Sequence, residues 1–277
     1  MSSIKLLFAN TIRPDRLVLN LSKDEFPNKE KDLPQELVDY VKKDRNFEIY
    51  WVDGNTKPYK KTIPTLRRFP SDVIISVDDD INYPKNFIQI LWNYYVMYGK
   101  QCPITAGGYQ WKNDTFSHYG GFSLIKKEFF GDYLDDLYEN LVLPSIDDFP
   151  FADPIITYAS LLNSKRYKFT VGFDMRQIRM TTHDQSTAIS QIGNVAYKQK
   201  LKREHELIQK YIWKKYNKTY DDLFTAKVNV NYTTYPLRDK YLYESLKSLQ
   251  KQTMPPDNIF LWLSEDEYNK ERLPKTI

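Results

Sequence analysis

The sequence predicts an α/β protein in which a mostly parallel sheet is flanked by helices. Three observations carry that expectation. Over the first 110 residues, short apolar segments alternate with segments of helical spacing. The helical segments are long enough to serve as crossovers between parallel strands. One strand, Val73–Val77 (VIISV), is apolar apart from Ser76, as a strand buried on both faces should be.

In chain order, Arg16–Leu21 (RLVLNL) is a short apolar run and Glu36–Lys43 (ELVDYVKK) has helical spacing. Phe47–Val52 (FEIYWV) is rich in the β-branched and aromatic residues that suit a strand. Pro58–Arg68 reads as a helix, Val73–Val77 as a strand, and Pro84–Tyr98 as a helix with its proline near the start. From Gly107 to Pro154 the pattern is irregular and holds Gly107-Gly108 and Gly120-Gly121. Such a stretch is expected to shape a site more than a core. Asp153–Leu162 and Asn194–Tyr216 are expected helices, Ala226–Tyr232 (AKVNVNY) a strand, and Lys240–Gln252 a helix.

Composition narrows the class. The 277 residues are 41% apolar and 27% charged, enough for a sizeable core and unlike a disordered chain. A single cysteine, Cys102, excludes a disulfide framework and a multi-cysteine zinc site. The opening MSSIKLLFAN has no basic region followed by a long apolar one, and no apolar run approaches the ~20 residues that span a bilayer. The expectation is a cytoplasmic protein of a reducing compartment. A net charge of +4 does not suggest a nucleic-acid binder. The aromatic share, 15% with 22 tyrosines, fits a ligand that favours aromatic surfaces, and equally fits AT-biased coding.

An internal repeat stands out. Thr11–Glu25 reads TIRPDRLVLNLSKDE and Thr253–Glu267 reads TMPPDNIFLWLSEDE, with eight of fifteen positions identical at a constant offset of 242. Lys5 and Leu7 match Lys247 and Leu249 at the same offset. Both copies run helix, turn, strand, acidic turn; only the C-terminal copy carries the strand before that helix. A truncated tandem protein, a circular permutation and a domain-swapped homodimer each fit this pattern.

The strongest chemical signal is Val73–Asp80, VIISVDDD. Clustered carboxylates repel, and one is pushed towards protonation unless a partner is present. Mg²⁺ or Mn²⁺ relieves this, because these cations take oxygen ligands and leave positions open for phosphate oxygens. The C-terminal end of a parallel strand is also where open α/β sheets place ligands. The alternative is a solvated aspartate turn capping the next helix.

SVDDDINYP resembles the DXD motif of GT-A glycosyltransferases, which use nucleotide-sugar donors. TTYPLRDKYLYESLKSLQKQTMPPDNIFLWLSEDE resembles the opening of bacterial GT-A enzymes that build surface polysaccharides, and WVDGNTKPYKKTIPTLRRFPSDVIISVDDD the stretch leading into the motif. Ala152-Asp153 ahead of an apolar helix is similar to the acidic site that supplies the base in inverting members. The resemblance covers most of residues 1–192 and resumes, out of order, at 226–277. It implies a GT-A (Rossmann-like) fold: a core over 1–192 lacking its usual first strand, a basic helical linker over 193–224, and a strand–helix–strand repeat over 225–277 that completes the core sheet in cis or by swapping.

The resemblance also implies roles. Asp80 and Asp78 are the expected metal ligands, with Asp78 and Asp79 beside the donor, most simply a UDP-sugar. Lys60 and Lys61 add charge near the diphosphate, or form a solvated helix face. Asp53, at the end of a strand, contacts the nucleotide or serves as a turn residue. Asp153 is the expected base, removing the acceptor hydroxyl's proton as that hydroxyl attacks; it equally suits an N-cap before Pro154. Related enzymes usually show two acidic residues where this chain has Asp-Pro, and Asp147 and Asp148 are reserves. His183 closes the metal shell, or is structural. Trp111, His118 and Tyr119 stack on a sugar, or pack locally. Thr233, Thr234, Tyr235, Pro236 and Arg238 match the turn that lines the nucleotide-base pocket. The acceptor implied is a bacterial surface glycan, free or lipid-linked. The basic Val195–Thr219 rests on the inner face of the membrane, or packs on the core. Two other classes compete. A nucleotidyltransferase also uses an acidic metal turn, but no Gly-rich, Lys/Arg-bearing phosphate loop is present. A decayed, non-catalytic nucleotide-sugar-binding or scaffold module fits the displaced strand.

Overall fold

The computed structural model describes residues 2–112, 114–117, 119, 121–164, 168–169, 179–180, 194–224, 229–251 and 258–264. Its first elements are α1 (Ser2–Phe8), β1 (Leu17–Ser22), α2 (Gln35–Lys43), β2 (Phe47–Val52), α3 (Tyr59–Arg68) and β3 (Ile74–Val77), the alternation that the apolar pattern predicts. β1 and β2 pair in parallel, from Leu17 opposite Phe47 to Ser22 opposite Val52. α3 is the crossover from β2 to β3 and packs on both β1 and β3. Asn20 of β1 fastens it, donating through Nδ2 to the Lys61 carbonyl at 3.0 Å and to Thr65 Oγ1 at 2.8 Å.

The chain continues through β4 (Ile81–Asn82), α4 (Phe87–Met97), β5 (Ile104–Thr105), β6 (Gly108–Trp111), β7 (Asp114–Ser117) and β8 (Phe122–Ile125). After α5 (Tyr133–Leu137) and α6 (Asp153–Ser164) come β9 (Lys168–Phe169), β10 (Arg179–Met180), α7 (Asn194–Tyr216) and α8 (Tyr220–Phe224). The four-stranded sheet has the order β3-β8-β5-β9. β8 runs antiparallel to both neighbours, and β9 is parallel to β5. The class is therefore mixed α/β, and the expectation of a mostly parallel sheet holds only in part. The cause is the β6–β7 hairpin: it reverses the chain at Lys112, whose φ of 53° is left-handed, before β8 enters between β3 and β5.

The segment expected to shape a site also builds the core. Phe116, Tyr119, Leu124, Ile125 and Phe130 are fully buried and share one cluster with Tyr59, Phe87, Leu91 and Ile104. Aromatic and aliphatic side chains there outweigh the glycines, since each removes a large apolar area from water. α6 is buried on every side from Ile155 to Ser160, as a helix apolar all round should be. β3, by contrast, is only half-buried apart from Ser76, not covered on both faces as its sequence suggests.

The chain divides into two compact units, Met1–Phe224 and Thr225–Ile277. α7 and α8 belong to the first. α7 turns Leu201, Glu204, His205, Ile208 and Ile212 inward at helical spacing, and Tyr220 and Leu223 of α8 join the same core. Its lysines Lys198, Lys200, Lys202 and Lys214 lie on the exposed side. Among the described residues no helix is long and apolar enough to cross a membrane.

The second unit holds β11 (Asn229–Thr233), a 3-10 turn at Pro236–Arg238, α9 (Asp239–Gln250) and β12 (Asn258–Trp262). β11 and β12 pair in parallel, Val230 opposite Ile259 and Thr233 opposite Trp262. β11, expected to complete the core sheet, finds its partner within its own unit. The repeat is structural as well as textual: at the offset of 242, α1 falls on the second half of α9, and Leu17–Asn20 of β1 on Ile259–Trp262 of β12.

Candidate active site

The acidic turn leaves β3 at its C-terminal end, and the three aspartates part ways. Asp79 is exposed, while Asp78 and Asp80 are half-buried. Asp78 forms an ion pair with Lys61 on α3. Burial, then the negative charges of Asp78 and Asp79, push the Asp80 carboxyl up from its ordinary range. Two groups brace the turn backbone. Ser3 Oγ donates to the Asp79 carbonyl at 2.8 Å. Tyr83 Oη accepts the Asp78 N–H at 2.7 Å and donates to the Gly121 carbonyl, also at 2.7 Å.

That tyrosine couples the turn to the Gly121 segment. A Cβ at Gly121 would lie 2.0 Å from Asp78 Oδ2, so the carboxylate occupies the space that any side chain there would need. Two residues upstream, the Tyr119 N–H donates to Asp153 Oδ1 at 2.8 Å. Asp153 starts α6, where the positive end of the helix dipole favours a carboxylate. Tyr119 and Gly121 thus tie the acidic turn to the expected base.

A further device holds the approach to α6. The Phe151 N–H donates to Glu204 Oε2 at 3.1 Å, and Tyr59 Oη donates to the Phe151 carbonyl at 2.6 Å. Glu204 is fully buried. Burial, with Asp153 as a nearby charge, raises its carboxyl well above the ordinary range and favours the protonated acid. Asp153 remains half-buried.

The other expected site residues are distributed as follows. Lys60 is taken up by an ion pair with Glu25. Asp53 is exposed and pairs with Lys23 across the ends of β1 and β2. Asp147 pairs with Lys57 and Asp148 with Arg203, so each reserve base is held by a cation. Trp111 stacks on His205 at 4.1 Å between ring centroids, and Tyr119 is buried in the core. Both take the packing role: Trp111, on the β6–β7 hairpin, lies against His205 of α7, and Tyr119 packs edge-on against Phe130. His118 and His183 lie outside the described residues; Met180, just upstream of His183 in sequence, pairs with Ile81, next to Asp80. Thr233, Tyr235 and Arg238 lie in the second unit, exposed, with the Arg238 guanidinium 5.0 Å above the Tyr235 ring.

Among the described residues, no group of three or more His, Cys, Asp or Glu side chains is placed to hold a metal ion. Asp78 and Asp80 suit a hard cation that takes two carboxylates and fills its shell with phosphate oxygens and water. Three residues with clear roles were not foreseen. Tyr83 and Gly121 carried faint signals, a tyrosine in DDINYP and a glycine pair, whereas Glu204 looks like one more surface charge between Arg203 and His205. No family model, no curated protein and no solved structure matches this chain.

Proposed function

We propose that this chain is a metal-dependent glycosyltransferase that moves a sugar from a nucleotide-sugar donor to a bacterial glycan acceptor with inversion. One observation carries the reading. Tyr119 and Gly121, in a single short segment, bond to Asp153 and abut Asp78, so an acidic turn and a separate carboxylate are held by one piece of backbone. Asp80 and Asp78 would hold Mn²⁺ or Mg²⁺, which would neutralise charge on the departing diphosphate. Lys61 lies at the same turn and supplies a fixed positive charge there. Asp153, oriented by the Tyr119 amide, takes the proton of the acceptor hydroxyl as that hydroxyl attacks the anomeric carbon. Tyr59 and Glu204 fix the backbone just before Asp153, and burial of the Glu204 carboxyl disfavours a second negative charge beside it.

A second reading, a nucleotide-sugar-binding or scaffold module without turnover, is favoured by one fact: the strand leading to Thr233, Tyr235 and Arg238 pairs inside the second unit. Thermal shift with UDP-, GDP- and dTDP-sugars, each with Mn²⁺ or with EDTA, tests the proposal. A ligand selective for the native state adds about 2.7 kcal/mol at a hundred times its Kd. The expected result is a metal-dependent shift with one nucleotide, lost in Asp80→Ala. Asp153→Asn is expected to keep the shift and lose turnover. Binding without turnover in the parent chain supports the second reading, and no shift with any nucleotide refutes both.

A further inference from the structure

The acidic turn already holds a cation, and that cation is the protein's own. The Lys61 ammonium pairs with Asp78 Oδ1. The other oxygen, Oδ2, is turned against Gly121, where a Cβ would come within 2.0 Å of it. Oδ1 is therefore the oxygen through which Asp78 can meet a second cation, and Lys61 occupies it. Lys61 acts on Asp80 as well: its charge draws that carboxyl down against the rise caused by burial, Asp78 and Asp79. Its neighbour Lys60 is taken up by Glu25 instead.

The backbones on both sides of this ion pair are pinned. The Lys61 carbonyl accepts from Asn20 Nδ2 at 3.0 Å and from Thr65 Oγ1 at 3.2 Å. Opposite, Tyr83 Oη accepts the Asp78 N–H and donates to the Gly121 carbonyl, each at 2.7 Å. What can move is the four-carbon stem of Lys61, which carries a compact, strongly hydrated charge. The two side chains are 33% and 32% exposed, so water can replace either partner and the pair is weak. A divalent cation and an ammonium at one carboxylate oxygen repel each other. We propose that Lys61 is the exchangeable counter-ion of the acidic turn: its ammonium neutralises Asp78 until a divalent cation takes that carboxylate, and the displaced ammonium, tethered at the same place on α3, then pairs with the donor diphosphate. This deepens the proposed function and rests on it. Lys61 thereby has two effects of opposite sign. It competes with the free metal ion, and it favours the nucleotide bound with that ion. A lysine that only braced the fold would support both.

The test uses the full chain and titration calorimetry with Mn²⁺ alone, then with UDP at saturating Mn²⁺; the Mn²⁺ site scored is the one lost in Asp80→Ala. Lys61→Met keeps most of the apolar stem and removes the charge, whereas Lys61→Arg keeps the charge. Lys61→Met is expected to bind Mn²⁺ up to about fivefold more tightly, as when a half-exposed ion pair no longer has to be broken. The same variant should bind UDP on the order of tenfold more weakly, having lost a charged contact. Lys61→Arg should bind Mn²⁺ as the parent does. Amine acetylation of the parent chain, read by peptide mass spectrometry, tests the exchange without a substitution. Mn²⁺ should raise the labelling of Lys61 and leave Lys60 unchanged, and UDP should lower it again. Mn²⁺ binding that is equal or weaker in Lys61→Met, or Lys61 labelling that ignores Mn²⁺, overturns the exchange and leaves the transferase reading standing. A parent chain with no Mn²⁺ site sensitive to Asp80→Ala overturns both.

Discussion

His205 makes the stability of the first unit depend on pH in a way that can be worked out from its surroundings. The imidazole is fully buried, stacked on Trp111 and flanked edge-on by Phe116. Nδ1 lies 3.2 Å from Tyr158 Oη and Nε2 lies 3.1 Å from Tyr109 Oη. Lys112 donates to Gln209 Oε1 at 3.5 Å, so the amide Nε2 of Gln209 donates to Tyr158 Oη at 2.8 Å. Tyr158 then directs its own proton at Nδ1, and the ring proton sits on Nε2. A second ring proton would oppose the Tyr158 hydroxyl. Burial, helped by the charge of Lys112, pushes the His205 pKa down to about 3. The unfolded chain takes up that proton at about pH 6.5. Stability is therefore full above pH 6.5 and lost progressively between 6.5 and 3. From pH 7.5 to 5.0 the loss is about 1.5 units at 1.36 kcal/mol each, or about 2 kcal/mol. For a unit of this size that is roughly 4–8 °C in Tm. Calorimetric melts of the parent chain and His205→Gln at both pH values isolate the effect from other titrating groups. The variant should be less stable at pH 7.5, and the gap should narrow by about 2 kcal/mol at pH 5.0. A gap that stays constant, or an imidazole resonance that titrates near 6.5, refutes the reasoning.

Three further predictions concern the site. Gly121→Ala should displace the Asp78 carboxylate, because its Cβ would stand 2.0 Å from Oδ2; metal-dependent nucleotide stabilisation should vanish while the far-ultraviolet circular dichroism is unchanged. Glu204→Gln should retain the bond from the Phe151 N–H and flatten the pH profile of melting. In the parent chain the raised carboxyl pKa makes stability present at low pH and lost as pH rises from the ordinary glutamate value through the folded one. Glu204→Ala, which leaves that buried N–H without its acceptor, should cost about 1–3 kcal/mol in denaturant titrations.

Local patterns in the chain were enough to place α1 to β3 in order, because an apolar period of two or of 3.6 residues is a property of neighbours in sequence. The acidic turn was legible for the same reason: three charges in a row after an apolar strand need no tertiary context to stand out. So was the repeat, which locates a β11-like strand beside a β1-like one. Pairing direction was not legible. β8 enters reversed because a hairpin turns at Lys112, and nothing in FSLI itself records which neighbour it meets. The half-covered state of VIISV was hidden too, since an apolar strand reads alike whether or not its second neighbour is in place. The bracing of the site lay entirely in tertiary structure. Tyr83 reaches 38 residues to Gly121 and Glu204 reaches 53 to Phe151. Asp78 fits only because a glycine lies against it. Sequence by itself determined which segments become strands and helices and where the carboxylates cluster. Only the tertiary structure decided which carboxylate is buried with its pKa raised, which is paired and which stays accessible, because burial and charge proximity depend on atoms brought together from distant parts of the chain.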